Sequence, residues 1–181
     1  TTRTFIENLK KKCKKIISFE DQGEGRNCVD LLIDCNLKPE DSQTISSHTK
    51  TLFGLSYSVL EPEFGKLHLG QRNFQNQIQS LLITFGGTDP YNITPDLVKH
   101  IPNKIQTTII VGPGFQNKKT LMKLNNDHIS IKENVEHMAQ MLVSHDGVFC
   151  SGGVTLHEAM CLGTPAFVIN QVKHQEDKAK K

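Results

Sequence analysis

The chain has 181 residues, enough for one large or two small domains, and its 36% apolar content is sufficient to fill a buried core. A formal net charge of +2 creates no strong field of either sign; the one basic cluster, Lys10-Lys11-Lys12 with Lys14-Lys15, has no aromatic interleaving and reads as a solvated helix face, not a nucleic-acid site. No apolar run approaches the ~18 residues of a transmembrane segment, and no signal peptide is recognisable.

The first predicted element is a basic amphipathic helix over Phe5–Lys15, followed by a short buried strand at Ile16-Ile17-Ser18-Phe19. No strand precedes that helix, so the first domain is expected to lack its opening βα units. Gly23-Glu24-Gly25-Arg26 is followed by another strand rather than a helix, and is read as a turn instead of a phosphate loop. Val29–Asp34 is a second buried strand, and Lys38–Lys50 reads as loop. From Leu52 to Ser80 the composition becomes mixed, then polar and rich in Gln and Asn. That pattern places a lobe boundary near Phe64–Phe74, with a partial N-terminal lobe plus linker over 1–66 and a second domain over 74–181.

From Leu81 onward the pattern is regular. Five β-like runs (81–84, 107–111, 129–131, 147–150 and 166–169) alternate with helical stretches near 94–101, 118–125, 135–144 and 155–162. Such alternation predicts an α/β fold with a doubly wound parallel sheet. In that topology the ends of the first and fourth strands flank the ligand crevice. Phe85-Gly86-Gly87-Thr88-Asp89-Pro90 and Ser151-Gly152-Gly153-Val154-Thr155 follow those two strands, so both glycine pairs are expected on one crevice. Glycines allow close backbone approach, and the N–H groups opening a helix with the positive end of its dipole favour an anion. The implied guest is a phosphate or diphosphate held by backbone N–H groups and the Thr88 and Thr155 hydroxyls, Thr155 either capping its helix or meeting the phosphate. Glu158, one turn on, offers a carboxylate to a ribose diol. No Gly-x-x-x-x-Gly-Lys-Ser/Thr loop is present, which excludes a P-loop nucleotide hydrolase.

Other residues have plainer readings. Gly112-Pro113-Gly114 is a tight turn at or near the crevice, and Gly163-Thr164-Pro165 a helix stop. Val135 and Met138 are read as core, and Asp89, beside a proline, as a loop cap. His174 and Gln175 either reach a sugar or phosphate or simply open a solvated helix. The five cysteines form no Cys-x-x-Cys pair and read as reduced thiols of a cytoplasmic protein; the eight histidines show no metal-ligand spacing, and neither a metal nor a cofactor is expected.

Several of these stretches together resemble a known group. They are Leu82-Ile83-Thr84-Phe85-Gly86-Gly87-Thr88-Asp89, Asn134-Val135-Glu136-His137-Met138-Ala139, Gly152-Gly153-Val154-Thr155-Leu156-His157-Glu158-Ala159 and Val172-Lys173-His174-Gln175-Glu176. They resemble the nucleotide-sugar-binding half of GT-B-fold proteins, in particular the UDP-sugar hydrolases of pseudaminic acid biosynthesis. Those are related to the spore-coat polysaccharide proteins and, more distantly, to the MurG-type glycosyltransferases. Gly54–Phe64 is similar to the hydrolases' segment before the second domain. The resemblance implies a GT-B-like chain with an incomplete N-terminal lobe, hydrolysing a UDP-linked diacetamido-trideoxy-altrose without a metal. By matching position, Gly86, Gly87 and Thr88 would meet the diphosphate or sugar, and Gly153, Val154 and Thr155 the phosphates, with Gly152 counted in the same binding loop. Glu158 would bind the ribose, backbone near Val135 the uracil, and Gln175 the sugar. The chain departs from the pattern twice: it has no Gly-x-Gly-His segment, which carries the hydrolases' expected base, and Glu61 stands where many relatives have Arg. A glycosyltransferase using the same donor, or a non-catalytic nucleotide-sugar-binding piece, are the alternative readings.

Overall fold

A computed structural model describes residues 1–68 and 76–171. The chain divides into two compact units, Thr1–Val59 and Leu60–Lys181.

The first unit holds helix α1 (Arg3–Lys10), strands β1 (Ile17–Phe19), β2 (Leu31–Asp34) and β3 (Lys50–Phe53), and a short helix α2 (Pro39–Ser42). The strands pair in parallel in the order β1-β2-β3. Thr2 caps α1 by accepting from the Phe5 N–H, and Ile6 is the one helix residue fully buried, packed with Ile16, Val29, Leu32, Leu37 and Ile45. The helix ends at Lys10, not Lys15, because the lysines beyond it are all exposed and mutually repelling, with no apolar face left to dock. β1 also departs from expectation. It lies at the edge of its sheet, and Ile17 and Phe19 are more than half exposed where a buried strand was anticipated. The 23–26 segment is not a ligand loop: a Cβ on Gly23 would fall 2.0 Å from the Thr1 carbonyl oxygen, so glycine there serves chain packing. Pro39 opens α2 inside the stretch expected to be loop.

The second unit begins with α3 (Pro62–Leu67) and continues with β4 (Ser80–Thr84), α4 (Ile93–Lys99), β5 (Gln106–Val111), α5 (Lys118–Met122), β6 (Ile129–Glu133), α6 (Met138–Val143), β7 (Gly147–Cys150), α7 (Val154–Cys161) and β8 (Ala166–Val168). Its five strands are all parallel in the order β6-β5-β4-β7-β8, so the chain winds outward from β4 and then returns to β4's other side. Both faces of the inner strands β4, β5 and β7 are covered, which is why these read as apolar runs, whereas the edge strands β6 and β8 hold no fully buried residue. Leu82, Ile110, Val148 and Cys150 pack against α3, α6 and α7 through Phe64, Ala139, Leu142, Leu156 and Ala159. Ile83, Ile109, Val111 and Phe149 face α4 and α5 through Val98 and Leu121. Phe64 is 2% exposed in the first of these layers, which places α3 in the second unit. The units therefore part at Val59/Leu60, earlier than the polar composition of 65–80 suggested; a single buried phenylalanine after a helix-opening proline decides the matter.

Candidate functional site

Strand pairing brings the two glycine loops together. Thr84, the last residue of β4, is the register partner of Cys150, the last residue of β7, so the chain leaves both strands side by side at the same edge of the sheet. This is the position where a doubly wound sheet reverses its winding.

The first loop turns sharply at Gly86, whose φ of +76° is a left-handed conformation that glycine adopts without strain. A Cβ on Gly86 or Gly87 would meet nothing within 4 Å, and Gly86, Gly87 and Thr88 are exposed, so their backbone is accessible to a ligand. The loop is held from below by the turn after β5. The Gly114 N–H donates to the Gly87 carbonyl at 2.9 Å, and a Cβ on Gly112 would fall 2.2 Å from the Gly86 carbonyl oxygen. Gly112-Pro113-Gly114 thus supports the crevice, a role for which its sequence gave no distinct signal.

Asp89 closes the loop as a cap. Its carboxylate accepts from the N–H groups of Ile93 and Thr94 (3.0 and 2.8 Å), from the Thr94 hydroxyl (2.7 Å) and from the Gln171 amide (3.1 Å). With both oxygens engaged on α4 and Gln171, Asp89 is a structural group rather than a base. The Gln171 contact also carries the segment after β8 across to the loop after β4.

The second loop enters α7 through Gly153, which holds the cap position with extended backbone and no side-chain cap bond. The helix therefore begins at Val154, and Thr155 sits inside the first turn. Of the two uses expected of Thr155, capping is therefore ruled out, since Gly153 holds the cap position, and the hydroxyl stands close enough to Glu158 to favour its ionised carboxylate. Among the described residues no side chain caps the start of α7 at Gly153, where a Cβ would meet only the Ser151 hydroxyl at 3.7 Å. Burial, and secondarily the nearby Glu61 carboxylate, push the Glu158 carboxyl above the usual glutamate range, while the Thr155 bond pulls the other way. Cys150, beneath the loop, is fully buried and its thiol is pushed up to about 12 by burial and by Glu158.

Val135 lies beyond β6, after Asn134 in a left-handed conformation (φ +52°) that delays the helix start to Met138. Its side chain, like that of Met138, packs on the Leu82–Val148 layer and is core, as read from the sequence. His174 and Gln175 lie outside the described residues. All five cysteines are free thiols. Among the described residues no helix is long and apolar enough to cross a membrane.

A parallel doubly wound sheet with two glycine loops at its reversal point defines a class of small-ligand-binding α/β domains. The relatives narrow the class. The chain is 28% identical over 188 residues to an uncharacterized protein of Methanocaldococcus jannaschii, aligning 96% of this chain with 39% of that protein. It is 25% identical over 176 residues to the spore coat polysaccharide biosynthesis protein SpsG of Bacillus subtilis, covering 92% and 51%. It is 24% identical over 170 residues to the UDP-2,4-diacetamido-2,4,6-trideoxy-beta-L-altropyranose hydrolase of Campylobacter jejuni, covering 91% and 61%. The chain thus spans roughly two-fifths to three-fifths of the length of these proteins. No family model matches it. Among solved structures, MurG of Acinetobacter baumannii shares the fold with a TM-score of 0.59 at 16% identity, over 97% of this chain and 59% of that one. The α/β, GT-B-like architecture expected from the sequence is the one this neighbour has.

Proposed function

We propose that the chain is the nucleotide-sugar-binding part of a UDP-sugar hydrolase acting in surface-glycan or nonulosonic acid biosynthesis. The observation that carries this reading is the Thr84–Cys150 pairing, which sets the exposed glycine loop after β4 at the same sheet edge as the loop after β7, where Gly152 is buried and Gly153 part-exposed at the start of α7. In this role the N–H groups of Gly86, Gly87 and Gly152–Thr155 hold the diphosphate, with Thr88 contributing its hydroxyl. Glu158 accepts from the ribose hydroxyls, and backbone near Val135 meets the uracil. His174 and Gln175 reach the sugar. Similarity to the Campylobacter jejuni hydrolase and to SpsG supports the substrate class and the pathway.

The roles divide by chemistry. The crevice of the second unit binds and orients, and Asp89, the carboxylate of the first glycine loop, is engaged in capping. Activation of water therefore falls to a residue outside this set. Calorimetric titration with UDP tests the reading: one molecule bound per chain supports it, and absence of binding refutes it. Product analysis then separates the two activities, since free sugar released without an acceptor supports hydrolysis and turnover only with an acceptor supports glycosyl transfer.

A further inference from the structure

We propose that Asn170 reads the glycosyl group of the nucleotide sugar, accepting a hydrogen bond through Oδ1 from a sugar hydroxyl or acetamido N–H. The inference rests on the nucleotide-sugar reading above and adds a residue that the two glycine loops do not include.

The placement comes from its neighbours. The Ile169 N–H donates to the Cys150 carbonyl at 2.9 Å, so the chain leaving β8 passes the end of β7 directly below the second loop. One residue after Asn170, the Gln171 amide reaches Asp89 at 3.1 Å, at the far end of the first loop. Asn170 is thereby fixed on the seam between the two loops. Its Oδ1 is shut away from solvent and, among the described residues, no donor reaches it, although the residue as a whole is only part-buried. A buried amide oxygen without a donor is costly, so its retention calls for a partner or a function, and at the seam of the two loops a bound ligand is the partner that fits.

The chemistry of that partner follows from the acceptor. A diphosphate at neutral pH has no proton to offer and would repel the oxygen, so the phosphates are not its target. Donors on a nucleotide sugar are the uracil N–H, the ribose hydroxyls and the hydroxyls and amides of the sugar. Glu158, a turn into α7, is placed for the ribose, and the uracil lies beyond it. A group on the seam where the diphosphate is held is next to the other end of the diphosphate, which carries the sugar.

The test compares UDP with UDP-N-acetylglucosamine by calorimetry on the intact chain and on Asn170→Ala and Asn170→Leu. The alanine variant removes the acceptor by shortening the side chain and the leucine variant removes it while keeping the same number and branching of heavy atoms, so a loss seen in both does not come from an emptied space alone. The expected result is that both variants bind UDP-N-acetylglucosamine about 10-fold more weakly, the size of one hydrogen bond, while UDP affinity stays within about 2-fold. Equal losses for both ligands would make Asn170 a loop-positioning residue, and unchanged affinities would leave it no role; either result overturns the proposal while leaving the UDP site standing. Failure of the unaltered chain to bind UDP would instead remove the underlying reading, and this proposal with it.

Discussion

Replacing Gly112 by alanine tests whether the turn after β5 sets the position of the first glycine loop. An alanine Cβ there would lie 2.2 Å from the Gly86 carbonyl oxygen, 2.7 Å from that of Gly87 and 2.8 Å from the Gly87 carbonyl carbon. Ordinary contact begins near 3.4 Å, so the loop must retreat by about 1.2 Å (3.4 − 2.2), and all three obstacles are backbone atoms that cannot rotate aside. Overpacking of this kind costs ~1–3 kcal/mol of stability. The same retreat moves the Gly86 and Gly87 N–H groups off the diphosphate; losing one such charge-assisted hydrogen bond, worth ~1.5–3 kcal/mol, weakens UDP binding by roughly 10- to 100-fold. Gly65→Ala is the matched control. Gly65 lies within α3, its Cβ would meet nothing within 4 Å, and alanine in a helix is favoured over glycine by ~0.5–1 kcal/mol. Urea melts read the stability change and calorimetry reads UDP affinity. If Gly112→Ala matched the control in both, the claim that this turn positions the loop would be wrong.

Three further outcomes are expected. Glu158→Ala weakens UDP by ~1–3 kcal/mol, the cost of removing a charged acceptor from the ribose hydroxyls. Because the Glu158 carboxyl is raised by burial and Glu61, and only its ionised form accepts fully, UDP affinity should begin to fall on acidification at a higher pH than an ordinary glutamate would give, and Glu158→Gln should abolish that dependence; a pH-independent affinity in the unaltered chain would count against the ribose role. Asp89→Ala removes the cap of α4 and costs ~0.5–2 kcal/mol in a urea melt, with Asp89→Asn recovering part of it; an unchanged midpoint would deny the capping role. In the folded chain, iodoacetamide should modify exposed Cys13 readily and spare Cys150, which is fully buried with its thiol pushed up to about 12; early labelling of Cys150 by mass spectrometry would contradict the packing beneath the second loop.

The second unit was legible in the sequence because its signals are periodic and repeated. Apolar runs alternating with helical stretches indicate a covered parallel sheet, with β4, β5 and β7 largely buried and β6 and β8 at its edges, and the strand order then brings the loops carrying Gly86 and Gly153 onto one edge. Features set by a single contact were not legible. Nothing in the composition of Leu60–Leu67 distinguishes a linker from a packed helix until Phe64 is seen in the core. The exposure of Ile17 and Phe19 depends on β1 being an edge strand, a property of pairing, not of the residues themselves. The position of Thr155 inside α7 follows from the extended backbone of Gly153, which takes the cap position two residues earlier than the side chain of the threonine would suggest. Asn170 carries no motif at all. It becomes visible only when Ile169 is found bonded to Cys150 and Gln171 to Asp89.

The central claim is that the loops after β4 and β7 form one site for a nucleoside diphosphate. Amide chemical shifts of the isotopically labelled chain, followed through a titration with UDP, test it most directly. The N–H resonances of Gly86, Gly87 and Thr88 and those of Gly152 to Thr155 should move together and saturate with a single dissociation constant. Perturbation of one loop without the other, or saturation of the two at different UDP concentrations, would contradict it.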